Sequence, residues 1–343
     1  MTLNIGAATT RRRLLRLALG ATVAGPLAAS AGCSVLNGSS SPDGSGGSGG
    51  SAGLEKSKIT VGILSSQGSA GAKLAEKFGY FAKQGLEVTI KPFTAGPQAV
   101  PALLGGELDF TVINYVSFFQ AVAAKTLDAK VVVDGNAANE NSVVVVAKPD
   151  SGIADPKDLV GKKVGIQAAQ SVAELLVRAT LKDHDVDPNS VHYLPVTFPN
   201  IPAAIAKGEL DAGVEVEPFL TTAEQKQGLQ PVLKIVTGAT ANLPQTGYIA
   251  TTKFVNAHPK TVAAFQRAMI PAQTDAADRS KLSQVLPELS GVDQATASLL
   301  NIDTYPTSVN ATQLQRVVTL LQNYGGMTAQ LDVKDYVVST PQA

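Results

Sequence analysis

The sequence predicts an α/β protein of two lobes, each with a mainly parallel sheet flanked by helices. Three observations predict it. From Lys58 onward, short β-branched runs alternate with runs of helical period. A second series with the same grammar opens after residue 152, and the tetrapeptide Gly-Glu-Leu-Asp stands at both 106–109 and 208–211, an offset of 102 residues. Alternating β and α elements imply a parallel sheet covered by helices on both faces. At 343 residues the chain exceeds one compact core, so two lobes are the default.

Composition agrees. Aromatics are few (Phe 10, Tyr 7, Trp 0) and aliphatics abundant, as in an Ala/Val/Leu-rich α/β protein. The formal charge of zero hides an asymmetry, because residues 1–32 hold four arginines and no acid. The remainder has 24 basic and 28 acidic groups, a balance of −4. A mildly acidic body has no basic stripe for a nucleic-acid backbone, which excludes that class.

The first segment, 1–33, reads as an export signal. Arg11, Arg12, Arg13 and Arg16 precede an apolar stretch from Leu14 to about Ala29, interrupted by Gly20, Gly25 and Pro26. A spanning helix needs about 20 predominantly apolar residues without such breakers. Thr10-Arg11-Arg12-Arg13-Leu14-Leu15-Arg16 resembles the twin-arginine export motif, with an arginine-rich Sec signal as the alternative. Ser30-Ala31-Gly32-Cys33 resembles a bacterial lipobox, which implies lipidation of Cys33, the only cysteine. Two acyl chains suffice for stable attachment. Residues 34–54 form a Gly/Ser-rich tether.

The body then reads in order. "KITVGIL", "LEVTIKPF", "LDFTVI" and "DAKVVVDG" are strands, separated by the helical runs "AGAKLAEKFGYFAKQG", "GPQAVPALLGG" and "SFFQAVAAK". These lie in a first lobe, 55–143. The second lobe, 144–248, contains "KKVGIQ", "VHYLPV", "LDAGVEV" and "PVLKIVT" as strands, with helices in "SVAELLVRATLKDH", "PNIPAAIAKGE" and "PFLTTAEQKQG". The extended segments "NSVVVVAK" and "TGYIATTK" are read as two crossing strands. Residues 249–343 return to the first lobe and are mostly helical, with Pro259 suited to a helix start and "VKDYVVSTPQA" a short extended end.

Gly106 and Gly208 fit helix C-caps, where positive φ carries no Cβ penalty, and Leu108 and Leu210 open strands. The repeat is therefore an αβ turn, and Asp109 and Asp211 are polar turn residues rather than a catalytic pair. Ligands of an open parallel sheet sit beyond the opposite, carboxyl ends of the strands. Following each strand there reaches Asn114 to Ser117 and Val216 to Phe219.

The run Gly79-Tyr80-Phe81 through Gly85-Leu86, with Ala95-Gly96-Pro97, Asp158-Leu159 before Gly161-Lys162-Lys163, and Glu217-Pro218-Phe219, resembles the nitrate/sulfonate/taurine and thiamine-pyrimidine-precursor group of substrate-binding proteins of ABC importers. The resemblance covers about residues 59–272. It implies a periplasmic-binding-protein-like fold of type II. It also implies an extracytoplasmic, lipid-anchored receptor at the outer face of the cytoplasmic membrane, monomeric, delivering a small solute to a permease and its ATPase. Carried onto this sequence, the implied solute-binding residues are Ser65, Ser66, Gln67 and Ser69; Phe93 and Thr94; Asn114, Tyr115 and Ser117; Asn136; Gln167, Gln170 and Ser171; Phe198; and Glu215 and Glu217. The two acids are expected to point to opposite sides of their strand, one of them at the solute.

Val216 stands where sulfonate binders of the group commonly carry an aromatic, and Glu215 where an apolar residue is usual. No Arg or Lys lies in the loops, so a fully anionic solute would lack strong donors. A sulfonate/taurine-like or aminopyrimidine-like solute with an amino group is the expectation, without cofactor or metal.

The rival reading is an enzyme resembling the pyrimidine-precursor synthases. Those use a histidine and a cysteine-rich segment, whereas this chain has only His184, His192 and His258, all outside the loops, and its one cysteine is in the lipobox. No Cys/His metal set is available, and no Gly-x-Ser-x-Gly elbow occurs in the body. No catalytic residue is therefore assigned. A ligand-sensing regulator would need a DNA-binding helix pair or a spanning segment, and neither is legible.

Overall fold

The structure, a computed structural model, describes residues 53–341 apart from 94 and 95. The export signal, Cys33 and most of the tether lie outside the described residues, as does Thr94. The chain from Gly50 onward forms one compact unit.

Among the described residues ten strands build two sheets: β1 (Lys58–Leu64), β2 (Glu87–Phe93), β3 (Phe110–Asn114), β4 (Ala129–Ala137), β5 (Val143–Ala147), β6 (Lys163–Ile166), β7 (His192–Pro195), β8 (Ala212–Val216), β9 (Gln230–Lys234) and β10 (Pro244–Thr251). The first sheet is ordered β2-β1-β3-β10-β4 and the second β7-β6-β8-β5-β9. Both are the same design. In the first, β1 pairs parallel with β2 and β3, and β10 runs antiparallel between β3 and β4. In the second, β6 pairs parallel with β7 and β8, and β5 runs antiparallel between β8 and β9. The chain crosses from one sheet to the other through residues 138–142 and returns through 235–243. The crossings thus lead into the two antiparallel strands. The unbroken Val143–Val146 run follows from this position, since every one of those side chains is buried in a central strand covered on both faces.

The repeated tetrapeptide does the same work in each sheet. Gly106 and Gly208 take φ 77° and 76°, a left-handed conformation that a side chain would strain. Each lets the chain fold back, so that the amides of Glu107 and Leu108 share the Ala102 carbonyl as those of Glu209 and Leu210 share that of Ala204. Asp109 then exchanges bonds with Thr60 of β1: its amide donates to the Thr60 carbonyl at 2.9 Å, and its carboxylate accepts from the Thr60 amide at 2.9 Å. Asp211 repeats this with Lys163 of β6, at 2.9 and 2.8 Å. The turns therefore pin neighbouring strands at the sheet ends away from the carboxyl-end loops.

Three apolar clusters fill the interior. One lies between the first sheet and the helices Ala70–Lys77 and Pro259–Ala276, where Phe265 stacks on Phe110 at 4.1 Å and on Phe81 at 5.7 Å. A smaller one lies under the helices Ile201–Lys207 and Phe219–Gln227 of the second sheet. The third runs through both sheets and includes the buried face of the helix Ala311–Tyr324.

The C-terminal part reaches further than a return to the first sheet. The helix Ala311–Tyr324 packs against both Tyr115–Ala123 and Val172–Asp183, which follow β3 and β6. The expected extended end is in part a 3-10 turn, Val333–Tyr336, after which the Val338 amide donates to the Val131 carbonyl of β4 at 2.8 Å. The helical run after Ala70 is broken at Gly79 (φ 70°) into Ala70–Lys77 and Tyr80–Lys83. Among the described residues no helix is long and apolar enough to cross a membrane.

Candidate functional site

The carboxyl ends of β1 and β8 come together around one residue, Asn301, on the extended segment 301–305. From the first sheet, the Gln67 amide donates to the Asn301 carbonyl at 2.7 Å. From the second, Glu217 Oε1 accepts from the Asn301 backbone amide at 2.9 Å and its side-chain amide at 2.8 Å. A further contact joins the halves where the Gln120 amide donates to the Gln170 carbonyl at 3.4 Å. The strand-end loops of the two sheets therefore face each other.

The residues named from the sequence divide into three groups. Some are committed to the fold. Ser69 Oγ accepts from the Leu64 amide at 2.8 Å, closing the turn after β1. Asn114 and Ser171 cap the helices that follow them, accepting from the amides of Ser117 (2.8 Å) and Glu174 (3.4 Å). Tyr115 is fully buried and donates from its hydroxyl to Asp134 of β4. Burial pushes that carboxyl up to about 6, against the Tyr115 hydrogen bond, and pushes the phenol well above its usual range.

A second group is engaged by the segment 301–305. Gln67 Oε1 accepts from the Tyr305 hydroxyl at 3.0 Å and the Asp303 amide at 3.3 Å. Asn136 donates to Asp303 at 2.6 Å and to Gln245 at 2.8 Å, and accepts from Thr246. Glu217 is saturated by Asn301 together with the hydroxyl and amide of Thr221, at 3.0 and 3.2 Å. The loop after β1 approaches closely here: a Cβ at Gly68 would lie 2.3 Å from Thr246 Oγ1.

The third group is uncommitted. Ser65, Ser66 and Ser117 are exposed or half-buried and hold no partner through their hydroxyls; Gln167 and Gln170 are exposed, with free side-chain amides. Gln170 sits at φ 56°, a conformation a side chain rarely adopts, just before the helix Val172–Asp183. Phe93 is half-buried. Half-buried Phe198 stacks on Phe219 at 5.8 Å, a pair presented at the second sheet's end.

Glu215 departs from expectation. Two apart on a strand, Glu215 and Glu217 share a face of the pleat instead of opposing each other. Glu215 is 0 % exposed, and neither carboxylate oxygen has a partner. Burial, with the charge of Glu217 adding to it, pushes its pKa up to about 9, so the side chain is neutral at pH 7. Burial also raises Glu217, opposed by its bonds from Asn301 and Thr221.

Asn301, Asp303 and Tyr305 were missed in the sequence. Their signal is the period of two in "NIDTY", which sets three polar groups on one face of an extended segment. Burial pushes Asp303 up to about 6, against hydrogen bonds from Ser142 and Asn136.

Beside the loops lies a cavity of about 260 Å³, lined by Val116, Gln120, Gln170, Ser171, Arg178 and Tyr324 among others. Arg178 is occupied: it binds Glu174 at 2.7 Å and Asn189 at 3.1 Å and lies over the Tyr193 ring at 4.7 Å. Among the described residues no three His, Cys, Asp or Glu converge to hold a metal ion.

Two sheets of identical order, linked by a double crossing and facing each other through their carboxyl-end loops, define the class as periplasmic-binding-protein-like. The chain belongs to the NMT1/THI5 like family, whose profile matches residues 67–279. It is similar to 4-amino-5-hydroxymethyl-2-methylpyrimidine phosphate synthase of Schizosaccharomyces pombe, 28% identical over 216 residues, which is 59% of this chain and 60% of that protein. A Bacillus subtilis protein provisionally named as aliphatic sulfonates-binding is 26% identical over 186 residues, 54% of each chain. The chain thus spans between half and two thirds of these relatives' length. The fold is that of the periplasmic aliphatic sulphonate binding protein SsuA from Escherichia coli (TM-score 0.70, 19% identity, 84% of this chain and 94% of that one).

Proposed function

We propose that the chain is the extracytoplasmic solute-binding component of an ABC importer, tethered to the membrane through lipidated Cys33 and acting as a monomer. It captures a small organic solute between its two halves and delivers it to a permease with an ATPase. One observation carries this reading. At the facing strand ends the side chains of Ser65, Ser66, Ser117, Gln167 and Gln170 have no hydrogen-bond partner among the described residues, and the Phe198–Phe219 pair stands at the end of the second sheet. Neutral donors and acceptors with an aromatic face suit a planar or zwitterionic solute, whereas a bare anion would call for Arg or Lys. Thr94, at the end of β2, belongs to the proposed set. The solute is of taurine-like or aminopyrimidine-like chemistry.

A second reading, catalysis, is favoured by the synthase relative. Against it, His184 is turned to the Thr180 carbonyl at 2.8 Å and His258 stacks on Phe254 at 4.4 Å, neither at the strand-end loops.

A thermal-shift screen over taurine, alkanesulfonates, nitrate, aminopyrimidines and flavins tests both. An aminated or zwitterionic solute that binds only the folded state is expected to add about 2.7 kcal/mol at 100 times its dissociation constant. Response to nitrate alone would refute the solute class. Mass spectrometry of the recovered ligand is expected to find it unchanged, and a converted ligand would establish the enzyme instead.

A further inference from the structure

The segment 301–305 carries bonds to every moving part. To the first sheet it is tied by Gln67 (2.7 Å to the Asn301 carbonyl), by Asn136 (2.6 Å to Asp303) and by a reciprocal backbone pair between Thr304 and Ala137 at 2.8 and 3.0 Å. To the first crossing it is tied by Asn139, whose amide donates to the Ile302 carbonyl. To the second sheet it is tied by Asn301 on Glu217, through two bonds. The segment is thus a third connection between the halves, laid across the hinge, and its anchor on the second half is a single carboxylate.

That anchor is built to be weak on one side. The groups that face Glu217 are Glu215 on its own strand, Glu224 on the helix Phe219–Gln227, and Asp303 on the segment itself. All are acids, and among the described residues no basic side chain pairs with Glu217. The first-half anchors, by contrast, are four separate groups held by buried side chains and backbone.

We propose that Asn301–Tyr305 is a latch that holds the two halves in the arrangement seen here, with the Asn301–Glu217 contact as its release point. This rests on the reading that the halves move relative to each other, and it names what restrains them. Opening parts Asn301 from Glu217 while the first-half anchors stay made.

The equivalent turns supply the ruler, because Glu107 and Glu209 are both exposed and lie at the sheet ends away from the cleft. Spin labels on Glu107→Cys and Glu209→Cys, in a Cys33→Ser background of the full chain, report the separation of the halves by pulsed electron resonance. Asn301→Asp sets a second carboxylate against Glu217 and is expected to shift the distribution to longer distances. Adding Glu217→Gln exchanges amide and acid across the contact, restores a donor–acceptor pair, and is expected to return the parent distribution. A folded Asn301→Asp protein with the parent distribution overturns the latch, as does failure of the exchange to restore it. Should Asn301→Asp not fold, Asn301→Ala is read the same way. If a solute hit moves the labels while these variants do not, closure stands and the latch is wrong; if neither moves them, both are wrong.

Discussion

At the residue scale the most informative side chain is Glu215, fully buried without a partner for either oxygen. Its carboxyl ionises near its ordinary value of 4.5 when unfolded, and burial pushes it up to about 9 when folded. Between those values the folded chain keeps a proton that the unfolded chain has released, so its contribution is complete below about pH 4.5 and is lost as pH rises toward 9. Glu215→Gln removes that slope. Urea unfolding should find the variant gaining on the parent from pH 5 to pH 8 by on the order of 4 kcal/mol, and parallel curves would refute the neutral buried acid. In the sequence this residue reads as a candidate solute ligand and as an acid where an apolar residue is usual. Its burial could not be read, because a strand's period fixes which residues share a face but not what covers that face.

At the element scale, the αβ turn was the most legible feature, since a glycine with positive φ, a strand-opening leucine and an aspartate at fixed spacing each have a local cause. The two copies differ in surroundings. Asp109 is 5 % exposed and also binds Lys56 Nζ at 2.6 Å, whereas Asp211 is exposed. Asp109→Ala leaves the half-buried Thr60 amide without its partner and should cost about 1–3 kcal/mol. Asp211→Ala lets water reach the Lys163 amide and should cost less than about 1 kcal/mol. Equal losses in chemical denaturation would mean that burial does not set the difference. The latch segment was far less legible, its one local signal being the period of two in its polar residues. Its five residues have no helical period, no turn signal and no apolar run, and its partners Gln67, Asn136 and Glu217 lie between 84 and 238 positions away. Those partners were themselves picked out as solute ligands, because a polar residue at a strand end looks the same whether a solute or the chain's own tail will occupy it.

At the scale of the whole molecule, two related sheets would be expected to unfold separately if each closed its own core. They do not close them. The third apolar cluster takes Leu108 and Ile113 from the first half, Val145, Val164 and Val214 from the second, and Leu314, Val317, Val318 and Leu321 from the C-terminal helix. That helix is amphipathic, and its buried stripe faces helices of both halves. Neither half keeps its apolar surface covered once the helix leaves, and a fully buried Leu or Val is worth about 1.5–3 kcal/mol. The two halves therefore share one cooperative unit and are not expected to unfold independently. Calorimetry is expected to give a single transition whose calorimetric and van't Hoff enthalpies agree. Leu314→Ala, in the helix alone, should lower that one transition by the equivalent of about 2–5 kcal/mol. Two resolved transitions, or a loss confined to one half in hydrogen exchange, would show that the sheets are separate domains and that the C-terminal helix belongs to only one of them.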